Sequence, residues 1–410
     1  MERPVNMSAQ RPITVAVIFG GRSVEHDVSV VTGHQVMKAF DTTRYEVVPV
    51  YIDREGRWYS GASLLDLKNY EDDVTRAADV KRVVLSPSTQ HHGLIIDPLP
   101  QGLFAKSRIK RIDVVFPALH GSHGEDGTLQ GLLELADIPY VGCGVLASAV
   151  ANDKLVTKSL LRQYNVPVVD AIGFTRAEWD DHPDAIISEI VARFGFPVFV
   201  KPVTLGSSIG IAKVSTEDLL RASIDVAANL DSRIMVEQAV ENAVEINCAL
   251  LGNGSDIRAS VLEQPVSWDD FLTYEEKYLR GGEGMKSAER IIPAPISEEL
   301  TARIQTLARQ AFIAIGGRGT ARIDFLVQPD SGEIYLNELN TLPGSLAFYL
   351  WQAEGLSPSA VVEQLVTLAR EAHADKRRNL YNYRTNLISL TAQRGLKGVK
   401  GAKSPATGGR

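Results

Sequence analysis

Residues 13–19 read ITVAVIF, and Gly20-Gly21-Arg22-Ser23 then leads toward a second apolar stretch at 45–52, YEVVPVYI. The first is apolar throughout but for one threonine and reads as a fully buried strand, and the second reads as the next strand. Between them lies a helical pattern over 25–40. Strand, glycine turn, helix and strand make one βαβ unit, which sets the class as α/β with parallel strands. A second strand, turn and helix follow, with DVVFPAL at 113–119 and a helix over 128–136. After 139–144 a new region begins, with a helix expected over 154–164 and β-rich segments at 196–201 and 209–214. The last region carries strands at 234–237, 245–251 and 319–327, a hairpin strand at 333–339 and a closing helix over 357–372.

A chain of 410 residues, 44% hydrophobic and 23% charged, is too long for one core. The pattern divides it into an N-terminal α/β body over 1–142, a central body over 143–236, a third over 237–373 and a basic tail over 374–410. Fifty acidic against 43 basic side chains leave a net charge of -7. No run approaches the roughly 18 apolar residues of a membrane span. Neither a membrane nor a nucleic acid is therefore an expected partner, and small molecules are. The polar start, MERPVNMSAQRP, lacks the apolar core of a secretory signal, so a cytoplasmic location is expected. Cys143 and Cys248 belong to no Cys or Cys/His cluster and are expected to be buried free thiols. The tail holds nine Lys or Arg against one acid, Asp375, and its end over 395–410 has almost nothing to bury, so disorder is expected there.

Four stretches carry chemistry. At Gly20 to His26 a glycine turn opens a helix, which is either a structural turn or an anion site built from backbone N–H groups. Glu25, just inside it, is either a dipole-matched cap or a ligand for a substrate ammonium. In His120-Gly121-Ser122-His123-Gly124-Glu125-Asp126-Gly127-Thr128, polar groups gather where α/β sheets place ligands, although half of the motif also reads as a turn with an N-cap. In Lys201-Pro202-Val203-Thr204-Leu205-Gly206-Ser207-Ser208, a lysine ends an apolar strand and a Gly/Ser loop follows, which suits a phosphate; the alternative, a plain hairpin turn, explains the Gly and Ser but not the lysine. It is not a Walker A loop, because the lysine precedes the glycine and the loop joins strand to strand. Last, alternation puts Arg322 and Asp324 on one face of their strand and Glu338 and Asn340 on one face of the next. Their oxygens fit Mg2+ shared with nucleotide phosphates, and the alternative is a cross-strand salt-bridge ladder.

Taken in order, the strand-Lys-Pro element with its Gly-Ser-Ser loop, Val236-Glu237, the Arg-x-Asp and the Glu-x-Asn resemble the ATP-grasp superfamily. Within it the chain resembles the D-alanine:D-alanine ligases, through GGRSVEHDVS, HGSHGEDGTLQGLLE, DKLVTK, VKPVTLGSSIG, EKY and NELNTLPG, over about 13–372. The resemblance implies three domains, the first a doubly wound parallel sheet, with the nucleotide between the second and third. It implies a ligase that uses ATP and two Mg2+ or Mn2+ ions to join two D-alanines through an acyl phosphate, for peptidoglycan precursor synthesis, and a homodimer. Lys154, Lys201 and Lys277 would contact ATP phosphates or stack over the nucleotide, and Ser207 and Ser208 would lie in the loop closing over the phosphates. Glu237 with the backbone of Gln238 and Val240 would bind adenine, and Glu245 the ribose. Asp324, Glu338 and Asn340 would hold the metals, and Arg322 with the N–H of Gly344 would stabilise the tetrahedral intermediate. Glu25 would take the first D-alanine's ammonium, with His120 near its carboxylate. Glu25, Ser207 and Tyr278 would form a hydrogen-bonded triad that shuts the site, under a lid over 273–292.

One departure bears on the second substrate. Where the family places a serine for the second D-alanine's carboxylate, this chain has Tyr349, in the run Ser345-Leu346-Ala347-Phe348-Tyr349. Ser345 is the alternative donor, and the lid is long, glycine-rich and charged. A ligase of the same chemistry with a different second amino acid, or an ATP-binding regulatory protein without catalysis, is therefore the alternative to D-alanine ligation.

Overall fold

The apolar run that opens the chain is β1 (Ile13–Gly20), buried at all but its first residue, and it lies beside β2 (Tyr45–Ile52) in parallel. The computed structural model describes residues 11–97, 108–266, 290–381, 385, 388–389 and 392, and it divides into two units, Met1–His373 and Ala374–Arg410. In the first unit, β3 (Trp58–Ser60), β4 (Lys81–Leu85), β5 (Gly93–Ile96), β6 (Arg108–Arg111) and β7 (Val114–Pro117) complete a seven-stranded sheet of order β6-β5-β4-β3-β2-β1-β7. The expected parallel core is β2-β1-β7, and β3 to β6 extend it by antiparallel pairing. Antiparallel strands can leave one face to water, and β4 does so, with only Val83 and Leu85 of its five residues buried.

A second sheet contains β8 (Ala171–Thr175), β9 (Val198–Pro202), β10 (Ala212–Val214) and β11 (Arg233–Gln238), in the order β10-β9-β11-β8, antiparallel throughout. The helices Pro183–Phe194 and Glu217–Leu230 cover it, burying Ile187, Ile190, Leu220 and Ile224 in its core. The third sheet holds β12 (Val244–Asn253), β13 (Asp256–Pro265), β14 (Arg290–Ile291), β15 (Gly319–Gln328) and β16 (Glu333–Asn340), in the order β14-β13-β12-β15-β16. The helix Glu298–Ala314 packs on it through Ile304, Ala308, Ala311 and Phe312, and the Ser297 hydroxyl caps that helix by accepting from the Leu300 N–H.

Two apolar cores reach across distant parts of the chain. Cys143, Ala147, Leu161 and Val166 contribute to the core of the third sheet although they precede the second. Leu346, Trp351, Val362 and Leu365 join Val17 and Phe19 of β1 in one cluster, so the end of the third region is anchored on the first sheet. Both cysteines are free and buried, as expected.

The helix His26–Ala39 lies close enough on β1 that a Cβ on Gly33 would come within 2.6 Å of the Phe19 Cβ. Alanine there gains up to about 1 kcal/mol of helix propensity, but overpacking costs more, about 1–3 kcal/mol. Gly33→Ala is expected to lower stability by roughly 1–2 kcal/mol net, read as an earlier midpoint in denaturant unfolding.

Candidate active site

The turn after β1 needs glycine, because Gly20 has φ +88 and a Cβ there would collide with the carbonyl oxygen of Ile52. It delivers Glu25 to the start of the helix, with the Glu25 N–H donating to Ser23 Oγ at 3.1 Å. The Glu25 carboxylate accepts a short hydrogen bond from the Ser207 hydroxyl, which joins the first sheet's helix to the loop after β9. Burial raises the Glu25 pKa and the charge of Glu125 adds to this, while Ser207 and His120 oppose it. His120 is held by its two nitrogens, Nε2 at 2.9 Å from Thr32 Oγ1 and Nδ1 at 3.5 Å from Glu125.

Lys201, near the end of β9, is almost fully buried and ion-pairs with Glu237 of β11. Lys158 approaches the other Glu237 oxygen at 2.9 Å and donates to the Val169 carbonyl at 3.1 Å. Burial alone would raise the Glu237 pKa, but the two ammonium charges outweigh it and hold it at about 2. Lys154 donates to the Leu205 carbonyl at 2.6 Å; burial lowers its pKa and Glu338 opposes. Ser207 and Ser208 both sit in the left-handed region, at φ 52 and 61, a conformation uncommon outside glycine and found where structure imposes it. The N–H of Gln238 donates to Asp170 at 3.2 Å, and Val240 follows β11 half-buried.

The register of the third sheet aligns its polar residues. Asn247 lies opposite Glu263 and Asp324, and Asp324 opposite Glu338, so four polar side chains cross four strands in one row, with Arg322 opposite Asn340 beside it. Glu245 shares the face of Asn247 two residues on, and its charge reaches Asp324. Arg322 donates to both Asp324 oxygens, at 2.7 and 2.6 Å, and Asn340 Nδ2 donates to Asp324 at 2.9 Å. Burial raises the Asp324 pKa, to about 7, despite the Arg322 charge. A bulge after Asp324 skips Asn337, whose Oδ1 accepts from Lys201 at 3.3 Å. Lys154, Gly206, Glu338, Asn340 and Thr341 line a common cleft with Glu125.

Two carboxylates and an amide are hard oxygen donors of the kind Mg2+ and Mn2+ take, and they fit a metal shared with phosphates. Among the described residues no group of three His, Cys, Asp or Glu side chains forms a closed metal cage. After β16, Gly344 begins a turn in which Ser345, Leu346 and Ala347 have φ 51, 49 and 49. The Ser345 N–H donates to Thr32 Oγ1 at 3.4 Å. The Tyr349 hydroxyl donates to Glu263 Oε1 at 2.5 Å, and burial raises its pKa.

Lys277, Tyr278 and residues 273–289 of the expected lid over 273–292 lie outside the described residues. Sequence reasoning passed over Lys158, Asn337, Thr32, Glu263 and Arg290. Lys158 had a signal, standing one helical turn from Lys154 in DKLVTK; Asn337 acts only because of the bulge, which no spacing announces.

The chain is similar to known proteins along most of its length. A family model described as the D-ala D-ala ligase N-terminus matches residues 14–143, and one described as the D-ala D-ala ligase C-terminus matches 160–367. The D-alanine--D-alanine ligase of Thermosipho africanus is 37% identical over 384 residues, covering 93% of this chain and 100% of the relative. That of Heliobacterium modesticaldum is 39% identical over 374 residues, covering 89% and 97%. Among solved structures, the VanG D-Ala:D-Ser ligase from Enterococcus faecalis has a TM-score of 0.74 at 34% identity, covering 88% of this chain and 100% of that one. The D-alanine-D-alanine ligase from Coxiella burnetii has a TM-score of 0.73 at 30% identity, covering 93% and 99%.

Removing one partner of a buried ion pair leaves an uncompensated charge and costs about 3–5 kcal/mol. Glu237→Gln is expected to destabilise the protein by roughly that amount at pH 7, measured by denaturant unfolding. Because the folded pKa is lowered from 4.5 to about 2, the stability Glu237 contributes is present above pH 4.5 and is lost as the pH falls through about 2. The gap between wild type and variant should therefore narrow over that window.

Proposed function

The chain belongs to the D-ala D-ala ligase family, and from that premise we propose how its cleft uses ATP to join two molecules of D-alanine. The observation that carries the reading is the convergence of Lys154, Gly206, Glu338 and Asn340 on one cleft, next to a Glu25 carboxylate bound by Ser207. Glu25 receives the ammonium of the first D-alanine, and His120, oriented by Thr32 and Glu125, lies toward its carboxylate. Lys154 and Lys201 lie against the ATP phosphates, and the loop of Ser207 and Ser208 closes over them. Glu237, Gln238 and Val240 flank the adenine, and Glu245 the ribose.

The first carboxylate attacks the γ-phosphorus, giving an acyl phosphate and ADP. The second D-alanine's amine then attacks the acyl carbon. A C–N bond forms, the amine loses a proton, and the C–O bond to phosphate breaks as inorganic phosphate leaves. Phosphoryl transfer depends mainly on positioning and on cations around the moving charge. The family uses ATP with a divalent metal, and two Mg2+ or Mn2+ ions held by Asp324, Glu338 and Asn340 would supply charge neutralisation at the phosphates. Arg322 and the Gly344 N–H stabilise the oxyanion of the tetrahedral intermediate. Excluding water protects the acyl phosphate; by family resemblance Tyr278 would join Glu25 and Ser207 in that closure, and Lys277 would contact the nucleotide.

The product serves peptidoglycan precursor synthesis in the cytoplasm, and the enzyme works as a homodimer, a reading supported by family analogy. No helix among the described residues is long and apolar enough to cross a membrane. With ATP, Mg2+ and D-alanine alone, the protein is expected to release one phosphate per dipeptide formed. Absence of D-alanine-dependent phosphate release overturns the reading. Arg322→Ala is expected to lower kcat by roughly 10²- to 10³-fold, the usual effect of losing one oxyanion donor.

A further inference from the structure

We propose that Arg290 binds the carboxylate of the second, amine-donating amino acid, held in place by Glu263 and by the ring of Tyr349. The proposal rests on the ligase reading above and assigns a residue to its second substrate.

Glu263 is 0% exposed, and a carboxylate so buried persists only when paired and hydrogen-bonded. Its partners are the Tyr349 hydroxyl at 2.5 Å, Arg290 Nη1 at 2.9 Å and Asn247 Nδ2 at 3.3 Å. The Arg290 guanidinium carbon lies over the ring of the same tyrosine, 4.1 Å from its centre. Glu263 and Tyr349 thus fix Arg290 from two directions. Among the described residues only one of the five guanidinium N–H donors is used, and the side chain is still 34% exposed. The planar fork that remains matches a carboxylate in two-point contact.

Its place is also right. The amine nitrogen and the carboxylate carbon of an α-amino acid are two bonds, about 2.5 Å, apart. The group that binds the acceptor's carboxylate must therefore adjoin the acyl carbon its amine attacks. Arg322, the oxyanion donor, is close enough for its charge to act on Arg290 and on Tyr349. The Tyr349 hydroxyl already donates its hydrogen bond to Glu263, so the phenol contributes its ring to this arrangement, and the cation beside it contributes the donors.

The test uses the full-length protein with ATP and Mg2+ and separates the two substrates. Hydroxylamine traps the acyl phosphate as a hydroxamate and reports the first step alone. D-Alanine and D-alaninamide then compete as acceptors, differing only at the carboxylate. Arg290→Ala is expected to leave hydroxamate formation unchanged and to raise KM for the second D-alanine by about 10- to 100-fold. Wild type is expected to prefer D-alanine over D-alaninamide by a similar factor and Arg290→Ala to show no preference, with Arg290→Lys in between. Equal weakening of both acceptors, an intact preference in Arg290→Ala, or loss of hydroxamate formation in that variant alone overturns the proposal. Loss of hydroxamate formation in wild type overturns the ligase reading itself.

Discussion

Glu237 lies between two ammonium groups, Lys158 at 2.9 Å and Lys201, and all three side chains are almost fully buried. Taking such charges out of water costs several kcal/mol each, and their mutual attraction repays it only in good geometry. That geometry is supplied by the pairing of β9 with β11 and by the Val169 carbonyl, which takes a further Lys158 proton. One consequence reaches the third sheet, where Lys201 also donates to Asn337 beside the metal-type oxygens. The triad therefore joins the second sheet to the third, whose strands carry Asp324, Glu338 and Asn340.

Strain and packing complete the frame. A left-handed run costs about 1–2 kcal/mol per residue for non-glycine side chains. Ser345, Leu346 and Ala347 adopt one, and Leu346 and Ala347 are buried in the cluster that holds Val17 and Phe19 of β1. Apolar burial on the first sheet thus holds this turn, which Gly344 begins, beside Thr32. Ser207 and Ser208 are left-handed as well, and in that conformation Ser207 reaches Glu25.

Much of this was legible in residue order. Buried strands such as β1 and β2 announce themselves because both faces must be apolar, and the pairing of Asp324 with Glu338 follows from alternation on a hairpin. The antiparallel strands β3 to β6 were not legible, since short half-exposed runs such as KRVVL differ little from loops. Asp324, Glu338 and Asn340 stood out as polar residues in apolar strands. Glu263 gave no such signal, because its meaning comes from a cross-strand partner, Asn247, and from Tyr349, 86 residues further on. A bulge made Asn337 a site residue, and no periodicity predicts a bulge. The helices over the third sheet drew on Cys143 to Val166, which are distant in sequence and close only in the packed core.

In the proposed mechanism the oxygens of Asp324, Glu338 and Asn340 hold a nucleotide's metal opposite Lys201. Crystals grown with Mn2+ and a non-hydrolysable ATP analogue test it through anomalous scattering. The account predicts manganese peaks within coordination distance of those three side chains, with a phosphate oxygen in contact with the Lys201 ammonium. Manganese bound elsewhere, or a nucleotide whose phosphates lie away from Lys201, would contradict it.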